Sequence, residues 1–379
     1  MSQEFFDRLR ERADKIHVEE HLRARLERGE KLRVKLGLDP TAPDIHVGHL
    51  VVLDVLRMFQ NDGHTVVVII GDYTALIGDP SGRSETRPML TPEQVETNAQ
   101  TYLDQIGLIL DRSRIEVRRN SEWLAGMTAA DVLRLMAKAT LQQVLQREDF
   151  AKRIKDGSAI GAHEILYPFS QAYDSVAIEA DVEIGGTDQL FNLLFGRDIQ
   201  AAYGQSPQDI AVFPLLTGPD GRRMSKSLGN YIGVSERPEQ IYGKTMSIPD
   251  ELIESYARLL LGLDRSALPE HPREAKSKVA FDLVKRLQGD EAAARAEDDF
   301  NVKFRKKEIP AERESFVLNG PTDLVALLVD TGIAKSRNDA RRLLDQGGVK
   351  VNGQKVGLDA ETPVKGDVVA ARRRYIELK

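Results

Sequence analysis

The chain has 379 residues, 41% of them apolar, enough to bury cores in two or three domains. Its 53 Lys and Arg against 59 Asp and Glu leave a net charge of −6, which excludes a uniformly basic coat for nucleic acid but not a local basic patch. Without cysteine there is no disulfide framework, thiolate metal site or cysteine nucleophile, and a cytoplasmic setting is expected.

The first fifteen residues alternate charged and apolar side chains, and no run of 18 apolar residues follows, so neither a signal peptide nor membrane association is expected. Residues 4–29 place Phe6, Leu9, Ile16, Leu22 and Leu26 at helical spacing and read as helix. Residues 31–38 read as a strand that stops at Asp39-Pro40-Thr41. A helical pattern then runs from Gly48 through Leu50, Leu53, Leu56 and Phe59, and breaks at Asn61-Asp62-Gly63. Residues 65–70 are almost wholly apolar, which suits a strand buried on both faces, as in a parallel sheet. Strand, helix, strand within about 40 residues is a βαβ unit. Short strands at 115–118, 181–184 and 210–213 extend this into an open, mostly parallel α/β sheet over residues 30–220. From 238 to about 309 helix follows helix, as at Leu252, Tyr256, Leu259 and Leu260. Residues 321–379 change character: helical patterns at 322–330 and 336–346 precede β-like pieces at 349–351 and 367–370. Eleven basic and eight acidic residues give this last stretch +3, on a body carrying −9.

Two clusters carry chemistry. The first is Asp39-Pro-Thr-Ala-Pro-Asp-Ile-His-Val-Gly-His49, where a strand ends and a helix begins. Unpaired N–H groups and partial positive charge at a helix start suit phosphate, and two histidines three residues apart can donate to its oxygens. Gly48 would let a planar base approach the backbone. Taken alone, the cluster reads equally as a capping loop with two surface histidines; a metal site lacks a third ligand. The second cluster is Arg222-Arg-Met-Ser-Lys-Ser227, bracketed by Gly221 and Gly229. Such a loop can close positive charge over a leaving diphosphate, although a short basic run alone is most often a solvated surface loop.

Together the clusters are far more specific. His46-Val-Gly-His49 resembles the HIGH signature, and Arg223-Met-Ser-Lys-Ser227 the KMSKS signature, of class I aminoacyl-tRNA synthetases, in the family's order and about 175 residues apart. Gly71-Asp-Tyr-Thr-Ala-Leu-Ile-Gly-Asp-Pro-Ser-Gly82, Tyr167-x-x-x-Gln-Ala-Tyr-Asp174 and Ile184-Gly-Gly-Thr-Asp-Gln189 make the chain similar to the tyrosyl-tRNA synthetases along essentially its whole length. The resemblance implies a Rossmann-like parallel-sheet catalytic domain at 1–220, a mobile basic loop and linker at 221–237, and an α-helical domain on the anticodon side at 238–319. A small α+β RNA-binding module of the ribosomal small-subunit protein type would occupy 320–379.

The implied reaction joins L-tyrosine to ATP, releases diphosphate, and passes the tyrosyl group to the 3′ end of tRNA(Tyr). Mg²⁺ is expected on the phosphates and no protein-bound metal. The resemblance puts Thr41 and His46 on the outer phosphates, His49 against the nucleotide beside Gly48, and Gly186 and Asp188 at the ribose. Met224 belongs to the same nucleotide site. Arg83, Arg87, Arg223 and Lys226 gather around the diphosphate. Asp39, Asp79, Tyr167, Gln171 and Gln189 would hold the amino-acid ammonium and carboxylate, and Asp174 would read the phenolic hydroxyl. The spacings of four and three between Tyr167, Gln171 and Asp174 also describe one plain helix face. Lys335, Arg337, Arg341 and Arg342 would meet RNA phosphates, and a homodimer is implied.

Two positions depart from the pattern. Lys35 stands on the strand where many bacterial relatives carry a tyrosine that touches the substrate hydroxyl, and is assigned to the tyrosine pocket with its contact open. Glu183 stands where relatives often have glutamine. The sister tryptophanyl enzymes share fold and signatures; Asp174 and the Gly-Gly-Thr-Asp-Gln stretch argue against that alternative. An RNA-binding paralogue without activity would be expected to lose the site residues retained here. A small-molecule nucleotidyltransferase with the same histidine feature would usually be shorter and have no basic module.

Overall fold

The computed structural model describes residues 2–41, 44–79, 90–224, 229–302, 313–318, 320, 322–358, 360, 363–372 and 374–379. Two compact units divide the chain, residues 1–283 and 284–379.

The first unit is built on a six-stranded sheet of β1 (Lys15–His17), β2 (Arg33–Leu38), β3 (Thr65–Ile70), β4 (Ile115–Arg119), β5 (Val182–Gly186) and β6 (Asp209–Phe213), in the order β1-β6-β5-β2-β3-β4. All neighbouring pairs are parallel except β1 on β6. Val66 to Ile70, Val182 and Ile210 to Phe213 are buried, as strands covered on both faces require. Helices α1 (Ser2–Arg12), α2 (Glu19–Glu27), α3 (Val47–Asn61), α4 (Pro92–Ile106), α5 (Leu166–Ala177) and α6 (Leu190–Ala202) accompany the strands, with shorter helices between 121 and 155. Residues 4–29 are not one helix. Lys15, Ile16 and His17 pair antiparallel with Val212, Ala211 and Ile210, so edge strand β1 separates α1 from α2. Three residues are too short to disturb the helical spacing of the apolar positions around them, and the pairing partner lies almost 200 residues away.

From β2 the chain moves outward to β3 and β4, then returns to place β5 and β6 on the other side of β2. The order therefore reverses between β2 and β5. Ligands of open α/β sheets bind in the crevice beyond the carboxyl ends of the strands at such a reversal.

From 238 to 302 the described residues are mostly helical, including α7 (Pro238–Met246), α8 (Pro272–Gln288) and α9 (Asp290–Asn301). The second unit contains a five-stranded sheet ordered β7-β11-β10-β8-β9, formed by β7 (Glu314–Phe316), β8 (Val349–Val351), β9 (Gln354–Lys355), β10 (Val368–Ala371) and β11 (Arg374–Leu378). Helices α10 (Leu324–Asp330) and α11 (Arg337–Asp345) bury Leu327, Leu328, Ala340 and Leu344 against Val349, Val369 and Ile376. Among the described residues no helix is long and apolar enough to cross a membrane.

Candidate active site

A cavity opens at the reversal. Asp39 follows β2, Gly71 follows β3, and Asp188 and Gln189 follow β5, and all four line it. So do Thr41, His46, Gly48, His49, Asp79, Tyr167, Gln171, Asp174, Gly186, Arg223 and Met224. The sheet thus collects residues separated by up to 185 positions into one crevice.

At its inner end Asp39 accepts the Thr74 hydroxyl at 2.7 Å on one oxygen and the Tyr167 hydroxyl at 2.9 Å on the other. Gly71 makes room for this arrangement, because a Cβ there would overlap Asp39 Oδ1 and Thr74 Oγ1. Burial, and then the Asp39 charge, push the Tyr167 phenol well above its ordinary pKa and keep it a donor. Asp174, two turns along α5 from Tyr167, is 3% exposed. Its carboxylate accepts Trp123 Nε1–H at 2.8 Å and the Asn120 amide at 3.3 Å. Burial pushes this carboxyl up to about 7, against the opposing Lys35 charge and the bonds from Trp123 and Asn120. Asn120 also donates to Thr74 Oγ1 at 2.9 Å, so the two acids are joined through one hydrogen-bonded string. Gln171 Oε1 is buried with no hydrogen-bond partner among the described residues, an acceptor suited to a cationic guest. Asp79 accepts Gln189 Nε2–H at 3.2 Å; Asn192 holds Gln189 at 3.0 Å, and Arg147 holds Asn192 at 3.1 Å.

Lys35 lies behind the floor of the cavity, and is not among its lining residues. The side chain is fully buried, and its ammonium donates to Ser175 Oγ at 2.8 Å, Glu183 Oε1 at 2.9 Å and the Gln171 carbonyl at 3.1 Å. Three donors meet three acceptors. Lys35 and Glu183 are register partners on β2 and β5, so the two departures noted in the sequence are a single cross-strand ion pair.

The outer end is assembled from loops. The histidine segment is laced to residues 232–234: Val47 N–H donates to the Ile232 carbonyl at 2.9 Å, and Val234 N–H to the Ile45 carbonyl at 3.2 Å. The His46 and His49 rings lie 4.0 Å apart, and His46 N–H donates to His49 Nδ1 at 3.2 Å. A Cβ at Gly48 would stand 2.9 Å from His46 Nδ1, so the glycine makes space first for the neighbouring imidazole. Arg223 pairs with Asp188 at 2.7 Å across the mouth, and Met224 is buried beside it. Arg83, Arg87 and Lys226 lie outside the described residues. In the second unit Lys335, Arg337, Arg341 and Arg342 are all exposed, the last three on α11; Arg342 is held by Asp339 at 2.9 Å.

Sequence reasoning missed Thr74, Asn120, Trp123, Arg147 and Asn192. Asn120 carried a usable signal, because it directly follows β4, where α/β sheets present site residues. Trp123 is the chain's single tryptophan. Nothing in their local sequence marks Arg147 or Asn192.

The profile of the tRNA synthetases class I (W and Y) family matches residues 27–305, and that of the S4 domain matches residues 324–369. The tyrosine–tRNA ligase of Thermotoga maritima is 52% identical over 349 residues, covering 89% of this chain and 87% of that protein. That of Dehalococcoides mccartyi (strain CBDB1) is 48% identical over 375 residues, covering 95% and 94%. Among solved structures, tyrosyl-tRNA synthetase from Archaeoglobus fulgidus, complexed with L-tyrosine, is 25% identical with a TM-score of 0.64, covering 78% of this chain and 99% of that one. The chain belongs to the class I tRNA synthetases of the tryptophan and tyrosine family.

Proposed function

We propose that the protein is a tyrosine–tRNA ligase that activates L-tyrosine with ATP and then charges tRNA(Tyr). The observation that carries this reading is a single cavity lined by the buried, hydrogen-bonded Asp174 at one end and by the histidine loop at the other. The inner end is an acceptor-rich slot. Asp174 accepts the substrate phenol, while Asp39, Asp79 and the orphan Gln171 Oε1 surround the α-ammonium, with Tyr167 held on Asp39. Gln189 lies beside the carboxylate.

In the first step a tyrosine carboxylate oxygen attacks the α-phosphorus of ATP; the bond to the bridging oxygen breaks and diphosphate leaves with that electron pair. In the second, the terminal ribose hydroxyl of tRNA attacks the acyl carbon, and AMP leaves. The protein's part is positioning and charge stabilisation. Thr41 and His46 meet the outer phosphates, His49 and Met224 flank the nucleotide, and Gly186 and Asp188 face the ribose, Asp188 exchanging its Arg223 partner for the sugar hydroxyls. Arg83, Arg87, Arg223 and Lys226 neutralise the leaving diphosphate, and Mg²⁺ carried on the ATP phosphates would add positive charge there. Phenylalanine would offer Asp174 no hydroxyl in place of the phenol. The strength of that discrimination is an established property of tyrosine enzymes, so only its dependence on Asp174 is predicted.

Residues 1–220 form the catalytic domain, 221–237 the closing loop and linker, 238–319 the anticodon-side helices, and 320–379 the RNA-binding module. Lys335, Arg337, Arg341 and Arg342 dock that module on RNA phosphates, and the protein works as a cytoplasmic homodimer. ATP–diphosphate exchange with tyrosine, tryptophan and phenylalanine tests the reading. Tyrosine alone should drive it; exchange driven by tryptophan, or by none of the three, overturns it.

A further inference from the structure

Helix α4 contributes three polar side chains to its buried face, Asn98, Tyr102 and Gln105, at spacings of four and three. Each faces the loop that carries Thr41 and leads into the two histidines. Asn98 donates to the Pro40 carbonyl at 2.9 Å, at the start of the loop. Tyr102 lines the cavity, its ring 6.5 Å from that of His49. Gln105 is at the far end. Its Oε1 accepts the Ile45 N–H at 2.6 Å, and its Nε2 donates to Asp44 Oδ1 at 2.9 Å and Ser235 Oγ at 3.2 Å. The amide is oriented unambiguously, since its oxygen meets a donor and its nitrogen meets a carboxylate. Asn98 and Gln105 are 8% and 6% exposed. Buried amides are costly unless satisfied, and these two are satisfied by the loop itself. Gln105 also adds a side-chain rung beside the two backbone bonds that lace Ile45 and Val47 to 232–234, and so joins the histidine loop to the segment that follows residues 225–228.

We infer that Gln105 and Asn98 are positioning residues for the nucleotide step: α4 grips Pro40 on one side and Asp44 and Ile45 on the other, sets His46 and His49, and fixes Asp44 and Ile45 to residues 232–235. This inference rests on the ligase reading above. Neither side chain touches substrate, so their removal should act on ATP chemistry and spare the tyrosine end.

The test uses the full chain. Gln105→Met keeps the volume but leaves the Ile45 N–H without its acceptor and removes the amide donor to Asp44. It should lower the maximal rate of tyrosine-dependent exchange roughly 10- to 100-fold and raise the KM for ATP, with tyrosine affinity by equilibrium dialysis unchanged. Gln105→Glu keeps an acceptor for Ile45 but sets a carboxylate against Asp44, and should lose activity similarly. Adding Asp44→Asn reverses the donor and acceptor across that contact and should restore ATP kinetics, a rescue that a generally weakened fold would not show. Should Gln105→Met fail to fold, the Gln105→Glu and Gln105→Glu/Asp44→Asn pair decides alone. Unchanged ATP kinetics, equal losses for tyrosine and ATP, or no rescue by Asp44→Asn each overturn the inference. If the unaltered protein shows no tyrosine-dependent exchange, the ligase reading falls and takes this inference with it; if that exchange is normal and the variants are indifferent, only the inference falls.

Discussion

The two ends of the cavity are built differently. Side chains at the inner end come from strand termini and one face of α5, and are locked by a string running Asp174–Asn120–Thr74–Asp39–Tyr167. Behind them the Lys35–Glu183 pair is sealed in the sheet. At the outer end the histidine loop is held to residues 232–235 chiefly by backbone bonds and by the Gln105 side chain, and Arg223 is held separately by Asp188. The contrast fits the two tasks proposed for these ends. Choosing a phenol over a phenyl needs acceptors fixed before the substrate arrives, whereas stabilising a departing diphosphate needs groups that engage as charge develops.

The largest expected effect probes how firmly the inner end is locked. Lys35→Met leaves Glu183 buried without its cation and should destabilise the fold by about 3–5 kcal/mol in urea unfolding. The Lys35→Met/Glu183→Met double variant should recover most of that loss. A single variant as stable as the unaltered chain would mean that the pair is not embedded in the core as described.

Lys226→Ala tests the diphosphate role proposed for the basic loop. Adenylate formation should slow by about 10²–10³-fold in single-turnover measurements while tyrosine affinity stays the same, and an unchanged rate would remove Lys226 from the diphosphate site. Asp174→Asn acts at the opposite end. Tyrosine affinity should fall by about 1–3 kcal/mol with reduced discrimination against phenylalanine, leaving the KM for ATP nearly untouched.

The smallest effect is a pH profile. Because burial raises Asp174 to about 7, the ionised acceptor is lost as pH falls below that value. Tyrosine affinity should therefore rise between pH 6 and 7, by at most about tenfold per unit, and level off above pH 8. Its contribution to folding has the opposite slope. Between the ordinary carboxylate range and pH 7 the folded chain holds a proton that the unfolded chain has released, so this group makes the protein less stable as pH rises. A flat tyrosine-affinity profile would place the titration elsewhere.

Much of this was legible in the sequence where one local pattern decides the outcome. The apolar run of β3 and the break at Asn61-Asp62-Gly63 fix the first βαβ unit, and the spacing of Tyr167, Gln171 and Asp174 predicts the one helix face that they share. Strands β1, β7, β9 and β11 were not legible, because two to five residues carry too little periodicity and their pairing partners are set by the tertiary fold. The resemblance assigned Lys35 to the ligand, whereas its partners are Ser175, Glu183 and the Gln171 carbonyl, all at least 136 positions away. Asn98 and Gln105 look like ordinary polar residues on a surface helix; only Pro40, Asp44 and Ile45, brought against α4 by the fold, give them a purpose.

Trp123 donates its indole N–H to Asp174, and the Arg118 guanidinium lies 5.3 Å from its ring centroid. The chain's single indole is thus wired to the carboxylate proposed to meet the substrate phenol. Any redistribution of charge or hydration around that carboxylate alters the surroundings of one chromophore and no other of its kind. On the proposed reading, filling the slot beside Asp174 should therefore shift the emission of Trp123, a change that titration with L-tyrosine would read without a label.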